Sequence, residues 1–422
     1  MIYITLLFLC LYLPFQLALN PSFGIDLASV RIIIPILFLL WILTNLKNKK
    51  LFIPAKIQTI LVLSFVFFGS FSLFFAQDQD WGLRKLLFIF SFIPLYFIAA
   101  DLVSSKKKFY EIIEFLACGA GIISIIGIIQ FIIQFFIGLN GALKAWQIVV
   151  TPFLGNSFAQ SVFENPSWLV GISGKNYFRA IALFPDPHMF SFYLGMALPW
   201  TVALSFLSGI RAKKILFFAF SACIFAADLL TFSRGGYLGL LAGAAFTLIL
   251  FGKKIKASFS PRKIIAINVF VFLVAAVILT PHPVSRRLYS SFDIYEGSNI
   301  GRFKTWKESL KIISANPLGV GLGNYALAVK PSADYREPIY SHNLYLDIAA
   351  ETGIVNALIF IWLIAASALN YIKKGRKNGF YLLGAVSLVI FSVHSIFETP
   401  LFSVQNFPFF LVLIALSTTK DE

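Results

Sequence analysis

Long apolar runs alternate with short polar interruptions along the chain, and that alternation predicts its architecture. About twelve runs come close to the roughly 20 residues a helix needs to cross a hydrocarbon core of about 30 Å. They are 2–19, 29–45, 57–76, 86–100, 112–138, 188–208, 215–232, 235–251, 264–280, 344–370, 380–397 and 401–417. The period-two alternation of membrane β-strands is absent, so helices must satisfy the backbone. The expected fold is therefore an all-α integral membrane protein of about 12 transmembrane helices. Two polar segments, 140–187 and 281–343, fall outside the runs as long loops. The first run lacks a positive flank and a small-residue cleavage site, and is read as a retained helix.

The larger loop has a helical pattern of its own. In GRFKTWKESLKIIS, Phe303, Trp306, Leu310 and Ile313 recur on one face, with Lys304, Lys307 and Lys311 largely elsewhere. That spacing predicts a short amphipathic helix on the bundle or membrane interface, with Ser298 or Asn299 as N-cap and Asn316-Pro317 as the stop. In the other loop Trp146, Trp168, Tyr177 and Phe178 suit the headgroup layer, so part of it is expected along the membrane surface.

Charge orients the bundle. Lysine and arginine clusters at Lys47–Lys56, Lys106–Lys108, Arg211–Lys214, Lys253–Lys263 and Lys373–Lys377 all fall in even-numbered gaps between runs. Positive charge favours the cytoplasmic side, which predicts both termini inside and both long loops outside. The net charge of +16 is thus a topology signal and gives no reason to invoke nucleic acid. Only 13% of residues are charged, against about 25% in soluble domains, and 59% are hydrophobic. Cys10, Cys118 and Cys223 lie inside apolar runs, with no disulfide or metal spacing. Without a repeat or a linker, residues 1–422 read as a single polytopic domain.

Chemistry can reside in few places. Arg234, in TFSRGG, sits in a tight external hairpin. It is either a snorkelling arginine or a fixed guanidinium suited to a phosphate ester, with Gly235 and Gly236 permitting close approach. Arg302 opens GRFKTW, where a first-turn position would put it beside free backbone N–H groups that favour an anion. Arg179 precedes the sixth run in FRAIALFPDPHMF, which also holds Asp186 and His188. His342, in SHN where the chain re-enters the membrane, titrates in the range of a general base, although a lone interfacial histidine is often polar trim. His282 and His394 have no supporting neighbours. Arg286 and Arg287 read as surface charge or lipid contacts. Asp228, inside the seventh run, needs an arginine or a wet cavity beside it. PLGVGLGNY follows a helix rather than a strand, so no dinucleotide loop is present; Gly321 and Gly323 would let the chain approach substrate or bundle closely.

Four of these segments together resemble the O-antigen ligase and O-antigen polymerase superfamily of bacterial envelope glycan enzymes. They are Arg179 to Pro187, Ser233 to Gly236, the R-x-x-x-W helix followed by NPLGVGLGNY, and SHNLYLDIAAETG, within residues 179–364. At 182–188 the chain reads ALFPDPH where the family runs closer to G-T-F-x-x-P-N. Asn356 stands at a position that is glycine in ligase-like members, and ligase and polymerase both stay open. The resemblance implies a metal-independent glycosyltransferase needing no cofactor. It would sit in the bacterial cytoplasmic (inner) membrane with its active face extracytoplasmic. The donor would be a glycan on undecaprenyl pyrophosphate and the acceptor a hydroxyl on a glycan or lipid core. Arg234 and Arg302 would hold the pyrophosphate and His342 would lie at the acceptor hydroxyl, with Arg179, Asp186, His188, Asn343, Gly321 and Gly323 lining the substrate site. A polytopic transporter or flippase of lipid-linked glycan is the alternative, although carriers place ionisable groups near the midplane.

Overall fold

The structure is a computed structural model describing residues 1–22, 25–49, 56–164, 167–172, 174–258, 283–291, 293, 295–335, 337 and 339–419. The helices are α1 (Ile2–Tyr12), α2 (Val30–Lys47), α3 (Ile57–Phe71), α4 (Gln79–Phe92), α5 (Pro94–Leu102), α6 (Lys106–Leu154), α7 (Asn156–Glu164), α8 (Pro187–Leu207), α9 (Arg211–Leu230) and α10 (Arg234–Ser258). After these come α11 (Pro283–Tyr289), α12 (Gly297–Ala315), α13 (Tyr325–Val329), α14 (Leu344–Thr352), α15 (Ile354–Gly375), α16 (Leu382–His394) and α17 (Asn406–Ser417). Two antiparallel hairpins, β1 (Ala18–Ser22) with β2 (Ile25–Ala28) and β3 (Leu169–Ile172) with β4 (Lys175–Phe178), form the sheets among the described residues. The protein is all-helical in architecture. Among the described residues, six helical stretches are long and apolar enough to cross a membrane: Val30–Lys47, Ile57–Phe75, Gln79–Leu102, Lys106–Leu154, Pro187–Leu207 and Ile354–Gly375.

The centre of the bundle is α8. Its Phe190, Phe192, Tyr193, Leu194, Met196 and Trp200 are all buried, and α9, α16, α6 and α10 pack around it. Beside it α17 is buried along its whole length. Polar side chains tie these helices through backbone carbonyls. Asn406 donates to Met189 O (2.9 Å), Ser387 to Met196 O (2.8 Å) and Tyr371 to Leu413 O (2.6 Å). Asp186 caps α8 by accepting from the N–H groups of His188 and Met189, and Pro187 at the first helical position needs no partner.

Several apolar runs prove to be broken, each at a glycine or proline. The run at 86–100 lies in two helices, α4 and α5, meeting at Pro94. The run at 344–370 is α14 followed by α15, separated at Gly353 with φ +92°. Of the two, only α15 is long and apolar enough to span; α14 carries buried Asp347, Glu351 and Thr352. The run at 112–138 continues into the expected first loop, because α6 turns at Gly138 (φ +74°) and resumes to Leu154. The run at 264–280 lies outside the described residues.

That continuation also changes the first loop. Trp146, Trp168 and Phe178, expected to face headgroups, are buried with Val150, Ala159 and Ile181 in a satellite core beneath the hairpin. Their indole N–H groups explain why burial wins. Trp146 donates to Ala182 O (2.7 Å) and Trp168 to Pro185 O (2.8 Å), so each ring is satisfied inside.

The glycine-rich turn after α12 docks on the α14–α15 junction through main-chain hydrogen bonds. Val320 N–H donates to Ala350 O (2.8 Å), Gly321 N–H to Glu351 O (3.0 Å) and Ile354 N–H to Pro317 O (3.1 Å). A Cβ on Gly353 would lie 2.9 Å from the Leu318 carbonyl, in backbone geometry that only glycine adopts freely. Replacing Gly353 with alanine is therefore expected to destabilise the fold by about 1–3 kcal/mol. A lower thermal midpoint of the detergent-solubilised protein would show it, and an unchanged midpoint would contradict the docking account.

Candidate active site

The site grows from the turn between α9 and α10. Phe232, with φ +50°, swings the chain so that Ser233 and Arg234 open α10. Arg234 is only 4% exposed, yet its guanidinium is fully engaged on one side. Nη1 donates to Glu296 Oε2 (2.7 Å) and Ser290 O (3.2 Å), and Nη2 donates to Ser298 Oγ (2.6 Å). The other oxygen of Glu296 lies 3.6 Å from Arg287 Nη1. Burial pushes Glu296 up, but the hydrogen bond and charge of Arg234 outweigh it and leave the carboxyl below its ordinary value. Burial, then the charge of Arg234, lowers Arg287 to about 10.

Glu296 is also the N-cap of α12, accepting from Ser298 and Asn299 N–H, where Ser298 or Asn299 was expected to cap. The helix therefore starts at Gly297, and Arg302 stands beyond its first turn. Its backbone N–H is not one of the free donors, and the helix-start reason for expecting an anion beside it falls away. Arg302 reaches the site through its side chain. Its Nη1 donates to the same Ser298 hydroxyl (3.4 Å) that Arg234 holds, which brings the two guanidiniums to one oxygen. Burial lowers the Arg302 pKa, and Glu398 opposes that.

This anchoring rotates α12 away from the expected face. Arg302, Thr305, Trp306, Ser309 and Ile313 turn inward, whereas Phe303 (51%) and Leu310 (57%) are exposed. Thr305 donates to Ser341 O (3.2 Å), Ser309 bonds the Tyr325 hydroxyl (2.7 Å), and Trp306 lies 6.3 Å from the Phe397 ring. The helix is thus laid against the point where the chain re-enters the bundle.

At that point His342 has φ +55°, a left-handed conformation rarely tolerated outside glycine. Of four non-glycine residues with positive φ among those described, three (Ala182, Phe232 and His342) lie in the site segments. Such strain costs of order 1–3 kcal/mol each and concentrates where function needs it. His342 Nδ1 lies 2.8 and 2.9 Å from the two oxygens of Glu398, which is 4% exposed. Burial alone lowers the imidazole pKa, but the charge and hydrogen bond of Glu398 together raise it above the ordinary histidine value. Tyr340 packs its ring 4.4 Å from the imidazole.

The remaining expected residues take supporting positions. Arg179 donates from Nε to Thr231 O (2.6 Å) and from Nη1 to Ser167 O (3.0 Å), clamping the end of α9. Asp186 caps α8, and Asn343 caps α14 by accepting from Tyr345 and Leu346 N–H. His188 Nδ1 contacts Ser233 Oγ (2.9 Å), which also contacts His394 Nε2 (3.2 Å), so the residue before Arg234 is held by two imidazoles. Gly321 and Gly323 close on Ala76 and Trp81, with Asn324 bonded to Asp78 N–H and O (2.7 and 2.9 Å). Asp228 accepts from the Ser191 hydroxyl (2.5 Å) rather than from an arginine.

Five residues of the site are given no role by the sequence alone. Glu296 and Glu398 are the acidic partners of the arginine and histidine positions, and His394 had no neighbour in sequence to suggest Ser233. Gln130 and Gln134 pin the Phe178–Ala182 backbone by paired amide bonds of 2.8 to 3.4 Å. Two glutamines four apart on one face of an apolar run were a visible signal, since an unpaired amide is costly there.

Residues 216–361 match the family model described as O-antigen ligase, and Arg234, Arg302 and His342 all lie inside that segment. The chain is also similar to the ComP-specific O-oligosaccharyltransferase of Acinetobacter baylyi. They are 27% identical over 392 residues, 87% of this chain and 62% of that protein, so the chain spans about three fifths of its relative's length. With apolar helices long enough to span and the four motif segments in one arrangement, the chain is similar to the O-antigen ligase superfamily, with the family-model match confined to residues 216–361.

Proposed function

We propose that the protein transfers a glycan from undecaprenyl pyrophosphate to a hydroxyl acceptor at the outer face of the bacterial cytoplasmic membrane, with both termini inside. The observation that carries this reading is the meeting of Arg234 and Arg302 at Ser298 Oγ. A buried guanidinium and a half-buried one at one point suit a pyrophosphate, whose oxygens accept paired N–H bonds and whose charge grows as it leaves. In this reading they do the charge neutralisation without a metal. The name of the Acinetobacter relative, an O-oligosaccharyltransferase, supports an oxygen acceptor.

His342 then acts on the acceptor. In its neutral form Nδ1 carries the proton and donates to Glu398, which leaves the lone pair of Nε2 to accept the acceptor hydroxyl proton. The acceptor oxygen bonds to the anomeric carbon of the donor sugar as the bond from that carbon to the pyrophosphate oxygen breaks. The electron pair departs with the lipid pyrophosphate, held by Arg234 and Arg302, and the proton stays on His342. Arg179, Asp186, His188 and Asn343 position the segments around this centre. Gly321 and Gly323 let the turn after α12 settle on the bundle.

Arg234→Ala, Arg302→Ala and His342→Ala should each leave the protein in the membrane and lower transfer of lipid-linked glycan by about 10²-fold or more. Full activity in all three would remove the site assignment. The pH profile gives a second test. The base must be neutral, so the rate rises with pH through the raised pKa of His342. Glu398→Gln removes the groups that raise it, and the acidic limb of kcat/KM should move to lower pH while the maximum falls. An unmoved limb would rule out His342 as the titrating base.

A further inference from the structure

A groove runs along the wall of the bundle between α15 and α16, with a cavity volume of about 450 Å³. That lies within the roughly 300–1,000 Å³ typical of ligand sites. Its lining includes Ile361, Ala365 and Ala368 from α15 and Ser392 and Ile396 from the other side, with Tyr345 at its head. Ala365 and Ala368 leave space where larger residues would close α15 on α16. From Ile361 to Ala368 the groove follows α15 for about 10 Å at 1.5 Å per residue.

Its polar groups are already satisfied within the wall. Tyr345 Oη donates to Ser392 O (2.9 Å), and Ser392 Oγ donates to Leu388 O (2.7 Å). What the groove presents is apolar. Its head is built from the same chain segments as the candidate site. Ile396 is two residues from Glu398, Tyr345 is three from His342, and Leu344 N–H donates to Ser395 O (2.9 Å) to hold those segments together.

We infer that this groove receives the head-proximal part of the donor's isoprenoid tail, feeding the pyrophosphate to the arginines from the side of the bundle. The inference rests on the proposed lipid-linked donor. An apolar channel whose head, at Tyr345, lies three residues from His342 and that runs along α15 suits a chain covalently attached to the reacting headgroup. A freely exchanging membrane lipid has no reason to be centred there.

The test uses the full chain in phospholipid nanodiscs with undecaprenyl pyrophosphate bearing a photoreactive group on an isoprene unit near the head. Adducts should concentrate on Ile361, Ala365 and Ile396, and should fall at least tenfold in Ala368→Trp and in the milder Ala365→Leu. A phosphatidylglycerol probe labelled in its acyl chain should not mark these residues preferentially. Adducts spread over all lipid-facing helices, equal labelling by the phospholipid probe, or labelling unchanged in both variants would overturn the groove. Glycan transfer is measured on the same preparation. Groove adducts without transfer would uphold the tail site and refute the proposed reaction, whereas transfer with adducts elsewhere would do the reverse.

Discussion

The ion pair between Arg234 and Glu296 is the interaction on which the architecture of the large loop depends. A guanidinium as buried as Arg234 would cost several kcal/mol without a partner, and Glu296 supplies one at 2.7 Å. The same carboxylate caps α12, so neutralising the arginine and starting the helix are one event. Everything downstream inherits its position from that start. Arg302 arrives at Ser298, Thr305 at Ser341, and Trp306 beside Phe397, each from a helix whose phase the cap has set. The large loop is consequently packed onto the bundle and shares its site.

A second constraint comes from the backbone. Buried main-chain groups must be paired, and irregular backbone at such depth is tolerated only where protein covers it. The chain meets this with breaks whose carbonyls and N–H groups are taken up at once. The turn at 317–321 bonds to the end of α14, and Gln130 and Gln134 bond to the strand leading into Ala182. These devices hold the strained residues Ala182, Phe232 and His342 in place around the arginines.

Much of this was readable in the sequence, and the reasons for the exceptions are physical. Residues 188–208 were expected as a helix and Pro187–Leu207 is one, because an Asp-Pro start and an apolar run are both local signals. Arg234, Arg302 and His342 stood out as rare charges in an oily chain. Glu296 and Glu398 did not, since they lie 62 and 56 residues from the groups they serve and only the fold joins them. The face of α12 was misjudged for the same reason. Periodicity counts Phe303 and Leu310 as the buried side, but the ion pair and the Ser298 bridge turn Arg302 inward, and apolar side chains are left exposed beside the lysines. Broken runs such as 344–370 were read as single helices because Gly353 interrupts the backbone without interrupting the hydrophobicity.

The central claim is that Arg234 and Arg302 form one anion site. A double-mutant cycle on the binding of undecaprenyl pyrophosphate, using Arg234→Ala, Arg302→Ala and the pair in nanodiscs, tests it most directly. Residues acting on one ligand group should couple by about 0.5–3 kcal/mol. Losses that simply add, within about 0.3–0.5 kcal/mol, would mean the two arginines serve separate purposes and would contradict the account.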